Sequence, residues 1–416
     1  LDVLIIGGGV GGLTLALSLH QCGISCRIFE ASPEIKPLGA GINLLPHAMR
    51  EMSELGLQAR LESAGVETRE LCFYNRFGQF IFKEPRGHFA GYKWPQLSIH
   101  RGDLQSILLD AVCERIGAGR IHTCSRCVQV ERDGQGVTAY FEDAKTGETL
   151  PPVHGTAAIG CDGIHSRVRK QLFPLEGPAI YSGVNMWRGV SRCKPFLTGA
   201  SMALAGWLRT GKMVIYPIRK GLDSEGRQLI NWVAEIETPI HSQRDWNRKG
   251  RLEDFIGAFK NWTFDWHDHV SMLEACDTIL EYPMVDQDPL PQWSFGRITL
   301  LGDAAHPMYP RGSNGAGQAI LDARCLAAHL TRLPNIEEAL KAYDAERLAA
   351  ANKVVLMNRT NPPDAILREV DERTGGKRFG SIGDVISEEE LVAISERYKR
   401  TAGFEVNALN ARASFI

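Results

Sequence analysis

The chain has 416 residues, 44% hydrophobic and 23% charged, which excludes a disordered, collagenous or disulfide-stapled protein and leaves room for two or three domains. Its 47 Lys and Arg against 49 Asp and Glu leave a formal charge of -2, so no global field favours nucleic acid or an anionic membrane. The longest apolar runs are broken by Gly or Asp and are too short for a membrane span. Ten Cys suit a reducing setting, and with no basic stretch or Ala-x-Ala site after Leu1 the expectation is a cytoplasmic protein. The missing initiator Met leaves upstream residues, a targeting extension included, open.

Residues 2–6 read as a buried strand, 7–12 as a Gly-rich turn and 13–20 as a helix. Gly7, Gly9 and Gly12 occupy G-x-G-x-x-G positions, where the first permits the turn, the second lets a pyrophosphate approach backbone N–H groups and the third permits close helix packing. A second strand over 26–30 ends in Glu30, placed to accept from a ribose 2′-hydroxyl. Together these predict a dinucleotide site; the competing reading is a plain turn with Glu30 as a solvated strand-end charge. A Pro/Gly-punctuated connection over 31–43 precedes a helix over 46–55, whose Met49 and Met52 read as core and whose Arg50 fits either cofactor or solvent.

Strands over 71–74 and 79–82 flank a hairpin-like turn, and a helix over 104–115 follows Arg101, which reads as a phosphate partner or as a solvated charge near the cap. Strands are expected over 121–130 and 136–141, with another apolar-to-Gly transition at 157–163. Cys124 and Cys127 lack a second pair or a nearby His, so no metal site is expected there. Residues 181–270 form a Trp- and Tyr-rich block with strands over 213–218 and 229–236, a polar connection over 241–250 and a helix over 251–262; His241, His267 and His269 read as isolated imidazoles. A strand from Arg297 then delivers Asp303 into a Gly/Pro-rich loop before a helix over 318–330, so Asp303 fits a cofactor hydroxyl or an ordinary helix cap. Helices over 340–351 and 388–398 close the chain.

Gly7 to Gly12 with Glu30, Gly160-Cys161-Asp162-Gly163 followed by Ser166, Arg167 and Arg169, and Gly302-Asp303-Ala304-Ala305-His306-Pro307 followed by Pro310 and Gly315 form an ordered set. In that order they resemble the single-component, class A flavoprotein aromatic hydroxylases of the para-hydroxybenzoate and salicylate hydroxylase type. The resemblance spans roughly residues 1–360, and Met186-Trp187-Arg188-Gly189-Val190, Asp245-Trp246-Asn247 and the segment from Glu281 to Asp286 resemble the phenazine carboxylate monooxygenase branch. It implies an α/β fold in which a Rossmann-like FAD-binding domain (1–70, 98–178, 273–350) carries an inserted strand-rich substrate domain (71–97, 179–272) and a C-terminal helical region (351–416).

The resemblance further implies non-covalent FAD, NADH or NADPH as a transient co-substrate, and O2. FAD would be held by Gly7, Gly9, Val10, Gly12, Glu30, Ala31, Arg101, Asp162, Asp303, Pro310, Gly312, Ser313, Asn314 and Gly315. A flavin C4a-hydroperoxide would hydroxylate an aromatic or N-heteroaromatic carboxylic acid, decarboxylating it when oxygen goes to the carboxyl-bearing carbon; oxygenation or epoxidation of a neutral polycyclic metabolite is the alternative. Arg311, where many relatives carry an uncharged residue, fits a substrate carboxylate or an outward loop charge, and Arg188 is a comparable candidate. Tyr216 and Tyr309 fit ring orientation or plain packing, Pro310 shapes the flavin face, and His306 resembles a structural loop residue, so no general base and no metal are assigned. The partner expected is an aromatic small molecule, with no nucleic acid, and monomer or homodimer is left open.

Overall fold

The computed structural model of the chain describes residues 1–35, 40–239 and 248–416. Strand Asp2–Ile6 stands at the centre of a five-stranded parallel sheet, with Ala157–Gly160 and Ile298–Leu300 on one side and Ser25–Phe29 and Ile121–His122 on the other. Such a sheet is covered on both faces, which is why Val3, Leu4 and Ile5 are fully buried and the strand reads as an unbroken apolar run. Helix Val10–Gln21 follows it and packs against helices Arg101–Arg115 and Gly315–Arg332.

The segment expected as one strand over 121–130 is two. Ile121–His122 ends the parallel sheet, Cys124 takes a left-handed φ of 54°, and Ser125–Arg132 opens an antiparallel sheet with Val137–Asp143 and Val153–Gly155. The reversal is secured because Cys124 N–H donates to Ser32 O while Cys124 O accepts from Ala144 N–H. The connection over 31–43 likewise ends in a strand, Gly41–Leu44, antiparallel to Leu97–His100.

The largest sheet has eight strands in the order Arg248–Lys249, Leu280–Asp286, Ile180–Cys193, Gln228–Glu237, Gly211–Arg219, Ser201–Trp207, Glu70–Tyr74 and Phe80–Pro85. The hairpin expected near 71–82 thus joins the later block, through parallel pairing of Glu70–Tyr74 with Ser201–Trp207. Leu280–Asp286 pairs with Ile180–Cys193, so the sequence division at 272/273 cuts this sheet; a short apolar segment carries no signal of which sheet will claim it.

Alternation gives each of these strands two faces. Trp187, Met213, Ile215, Ile230, Trp232 and Ala234 enter an aromatic cluster with Phe255, Phe259 and Trp262. Met186, Arg188, Val214, Tyr216 and Val233 face the other way and line a cavity. The helix expected over 251–262 is only a 3-10 turn, Leu252–Asp254, and a single helical turn, Ile256–Phe259. Gly257 weakens it, and burial of Phe255, Phe259 and Trp262 in the cluster outweighs helical periodicity.

Helix Ile336–Thr360 contains the helix expected over 340–351, and Glu388–Ala402, begun by a Ser387/Glu390 capping box, contains the one over 388–398. Ala365–Thr374 and Val406–Ala411 complete the region. Ile366, Leu367, Val370 and Leu391 pack on Leu71, Phe73, Leu204 and Ile218, closing the cavity side of the large sheet. Phe259→Ala removes a fully buried ring from the aromatic cluster. The expected loss of about 3–5 kcal/mol is read as a lower urea midpoint in tryptophan fluorescence.

Candidate functional site

The first strand delivers the chain into a turn that only glycine fits. Gly7 has φ 111°, and a Cβ there would lie 2.4 Å from Cys161 O; at Gly12 it would lie 2.0 Å from Gly7 O. At Gly9 it would meet nothing within 4 Å, so the backbone there borders open space. Gly9 is also the N-cap of helix Val10–Gln21, with no side chain capping its first N–H groups, and these remain free for an anion. Glu30 holds the turn: Oε2 accepts from Gly8 N–H at 2.7 Å and Oε1 from Ser32 N–H at 2.7 Å. Each oxygen keeps a lone pair for a hydroxyl. Ala31, half-exposed, continues directly from Glu30.

The second glycine turn is fixed by buried charge. Asp322, fully buried on helix Gly315–Arg332, accepts from Gly302 N–H at 3.1 Å, meets His306 Nε2 at 2.6 Å and accepts from Arg347 Nε at 2.8 Å. Burial alone would raise its pKa, but His306 and Arg347 hold the carboxyl below its ordinary value. From the other side Arg169 donates to the carbonyls of Ala304 at 3.1 Å and Ala305 at 2.9 Å while gripping Glu176. Asp303 is thereby presented exposed at the cavity wall and makes no protein hydrogen bond among the described residues. His306 lies behind the loop, outside the cavity lining.

Between these turns and the large sheet lies a cavity of about 360 Å³. Gly9, Val10, Arg101, Asp303, Pro310, Ser313, Asn314 and Gly315 line one side. Asp162 does not: its oxygens accept from Ser166 Oγ at 2.5 Å and Arg167 N–H at 2.7 Å, so it braces the start of helix Arg167–Leu172, whose N-cap is Ser166, while its neighbours Cys161 and Gly163 reach the cavity. Burial raises the Asp162 pKa against those hydrogen bonds. Gly312 also stays outside, pressed against Tyr398, where a Cβ would lie 2.1 Å from the hydroxyl oxygen.

The opposite wall is the alternating face of the sheet. Tyr216, whose hydroxyl is hydrogen-bonded to Arg188 and Asn43, has its pKa pushed up to about 12 by burial, against the lowering effect of Arg188. Arg188 also donates to Gly41 O at 3.1 Å, and Gly41 N–H donates to Asn231 Oδ1 at 2.6 Å. Gly41 is held so tightly that a Cβ would sit 2.7 Å from Tyr216, Asn231 and Ile218. Sequence reading missed Asn43, Asn231 and Asp322; only the sheet register and the helix packing bring them to the site.

Of the two readings left open for Tyr309, ring orientation and packing, the structure places it outside the main cavity, on an outer groove with Tyr181 and Arg359 and against Asp286. Asp286, held by Arg359, lies against Tyr309 there. Arg311 borders the same outer groove and also lines a smaller annex behind Pro310, outside the main cavity.

His269 Nε2 lies 2.9 Å from Phe259 O and His267 Nε2 lies 3.2 Å from Met272 Sδ, whereas His241 and the segment from Asp245 to Asn247 fall outside the described residues. Cys325, His329 and Glu346 bring three potential ligand atoms within 4.8 Å of one another, away from the cavity lining. The residues at the cavity suit a dinucleotide cofactor: uncapped helix N–H groups, an open backbone at Gly9, and an unengaged carboxylate at Asp303.

Comparison with known proteins agrees. A family described as FAD binding domain matches residues 1–239 and 272–358. Phenazine 1,6-dicarboxylic acid hydroxylase PhzS of Lysobacter antibioticus is 40% identical over 390 residues, 93% of this chain and 95% of that protein. The 6-hydroxynicotinate 3-monooxygenase of Bordetella bronchiseptica is 30% identical over 374 residues, 86% of this chain and 91% of that protein. In fold, the chain is similar to HpxO of Klebsiella pneumoniae complexed with FAD and uric acid (TM-score 0.74, 24% identity, 95% and 96% of the two chains). It is also similar to a salicylate hydroxylase substrate complex (TM-score 0.73, 22% identity, 99% and 97%).

Asp322→Asn leaves His306 and Arg347 without their shared carboxylate. The variant is expected to lose about 3–5 kcal/mol near neutral pH. Because the folded-state pKa of Asp322 is depressed, its contribution is present above the ordinary carboxylate pKa and lost as pH falls through the folded value. Thermal melts against pH therefore show wild type and variant converging in acid.

Proposed function

The chain belongs to the FAD-binding domain family and is a flavoprotein aromatic hydroxylase, and from that premise we propose that it uses NADH or NADPH and O2 to hydroxylate an aromatic or N-heteroaromatic carboxylic acid. The observation that carries the reading is one cavity with glycine turns and Asp303 on one wall and the alternating face of a sheet on the other. The curated relatives named for phenazine dicarboxylate and hydroxynicotinate support a carboxylated ring as substrate.

When bound, FAD supplies electron transfer from the nicotinamide and activation of O2. The chain's own residues supply position and exclusion of water. The free N–H groups at the start of helix Val10–Gln21 face the pyrophosphate, Glu30 accepts from the ribose, and Asp303 accepts from a ribityl hydroxyl. Arg101, at the cavity edge, neutralises phosphate charge. Met186, Met202, Val214 and Val233 present an apolar slab against which a flat ring lies, and Tyr216, fixed by Arg188 and Asn43, marks its polar end. Tyr216 keeps its proton through the neutral range, so it donates a hydrogen bond there and is not a base. Holding the substrate within reach of the cofactor while closing off solvent favours oxygen transfer over release of peroxide.

In this reading, residues 1–70, 98–178 and, apart from strand Leu280–Asp286, 273–350 hold the cofactor, 71–97 and 179–272 with that strand form the substrate side, and 351–416 close it. Decarboxylation accompanies hydroxylation when oxygen goes to the carboxyl-bearing carbon. The test is anaerobic reduction of the FAD-loaded protein by NADH and by NADPH across hydroxybenzoic, quinoline and phenazine acids. At least one acid is expected to accelerate reduction. If FAD binds and only neutral polycyclic compounds do so, the carboxylic acid assignment is wrong.

A further inference from the structure

We infer that the annex behind Pro310 seats one carboxylate of the aromatic substrate, with Arg311 as its direct partner and the Lys212–Asp364 pair positioning that guanidinium. The inference rests on the hydroxylase reading above and assigns the carboxylate to this end of the site and not to Arg188.

The annex has a volume of about 70 Å³ and shares Met202, Val214, Glu235, Pro310 and Ser313 with the main cavity. That is about two waters' share of liquid volume, room for a small polar substituent of a ring lying in the larger space. Its wall carries Arg86, Lys212, Arg311 and Lys399 against Glu235 and Asp364, an excess of positive charge at the surface a ligand meets; Glu84 and Glu396 stand behind Arg86 and Lys399.

Most of these cations are already engaged. Lys212, opposite Glu235 in the strand register, donates to it at 2.7 Å and also to Asp364; Lys399 lies 3.0 Å from Glu84, which Arg86 also contacts. Arg311 differs. Its side chain is 10% exposed and Nε is buried without a hydrogen-bond partner, as in Arg86 and Arg188, but its guanidinium makes no hydrogen bond among the described residues, and the nearest carboxylate oxygen, on Asp364, is 4.0 Å away. Lys212 draws the same Asp364 oxygen. The guanidinium stands over the Trp207 ring, 5.8 Å from its centroid. A buried guanidinium with unused donors is costly unless something accepts from them, and a planar carboxylate can accept two parallel N–H bonds.

Arg188, by contrast, already donates to Gly41 O and bonds the Tyr216 hydroxyl, so it serves the wall that shapes the ring site. Lys212 and Asp364 position Arg311: Asp364 attracts it, with Oδ2 bound by Lys212 and 4.0 Å from the guanidinium and Oδ1 left without a partner.

The experiment is a flavin-absorbance titration of FAD-loaded wild type, R311M and R311K with phenazine-1-carboxylate and phenazine-1-carboxamide as probes. FAD content and melting temperature are recorded for each protein. Wild type is expected to bind the acid more tightly than the amide. R311M is expected to weaken the acid on the order of 10- to 100-fold, the loss of one charge-assisted contact, with amide binding unchanged; R311K recovers part of the acid affinity. A general packing defect would move both probes together and overturn the assignment. Equal affinity of wild type for acid and amide overturns it without reference to any variant, as does an R311M that retains the acid preference. If neither probe, nor any other aromatic acid, perturbs the flavin, the carboxylic acid reading on which this inference rests fails.

Discussion

The site depends on a carboxylate that never reaches it. Asp322 lies fully buried in helix Gly315–Arg332 and ties Gly302 N–H, His306 and Arg347 to one point. A charge can be kept there only because its oxygens are matched by a cation, an imidazole and a backbone donor. The consequence is geometric: the loop carrying Asp303, Pro310, Ser313 and Gly315 is fastened from below by Asp322 and from the side by Arg169, so its free groups are aimed at the cavity.

That loop needs a facing wall, and strand alternation supplies it. Along Gly211–Arg219, Met213 and Ile215 feed the aromatic cluster while Lys212, Val214 and Tyr216 face the cofactor side. The neighbouring strand does the same with Trp232 and Ala234 against Val233 and Glu235. A slip of one residue would exchange the two sets, so the large buried rings that fix the register also fix which polar groups meet a ligand. Core packing and specificity are here two faces of one constraint.

Much of the cofactor side was legible in the sequence because its requirements are local. Gly7 and Gly12 must be glycine for reasons confined to one turn and its immediate packing, Gly9 leaves the backbone open beside them, and Glu30 ends the next strand. Contacts between distant parts of the chain were not. Asp322 reads as one more charge on a helix, and Lys212 meets Asp364 across 152 residues of chain. Cys124 breaks an apparently continuous strand through a left-handed φ that a Cys does not advertise, and Phe255, Phe259 and Trp262 have helical spacing yet are spent on a cluster. Asp162 looked like a cofactor ligand because it sits among the right neighbours, while its oxygens belong to a helix start; Tyr309 was drawn away by Asp286.

The account's central claim is that this cavity brings an aromatic acid to a flavin for oxygen transfer. Its most direct test is turnover in labelled O2, with product analysed by mass and peroxide quantified in parallel. The account predicts one labelled oxygen atom in the aromatic product for each NAD(P)H consumed, the other leaving as water. Oxidation of NAD(P)H that yields peroxide in equal amount and returns every acid unlabelled would contradict it.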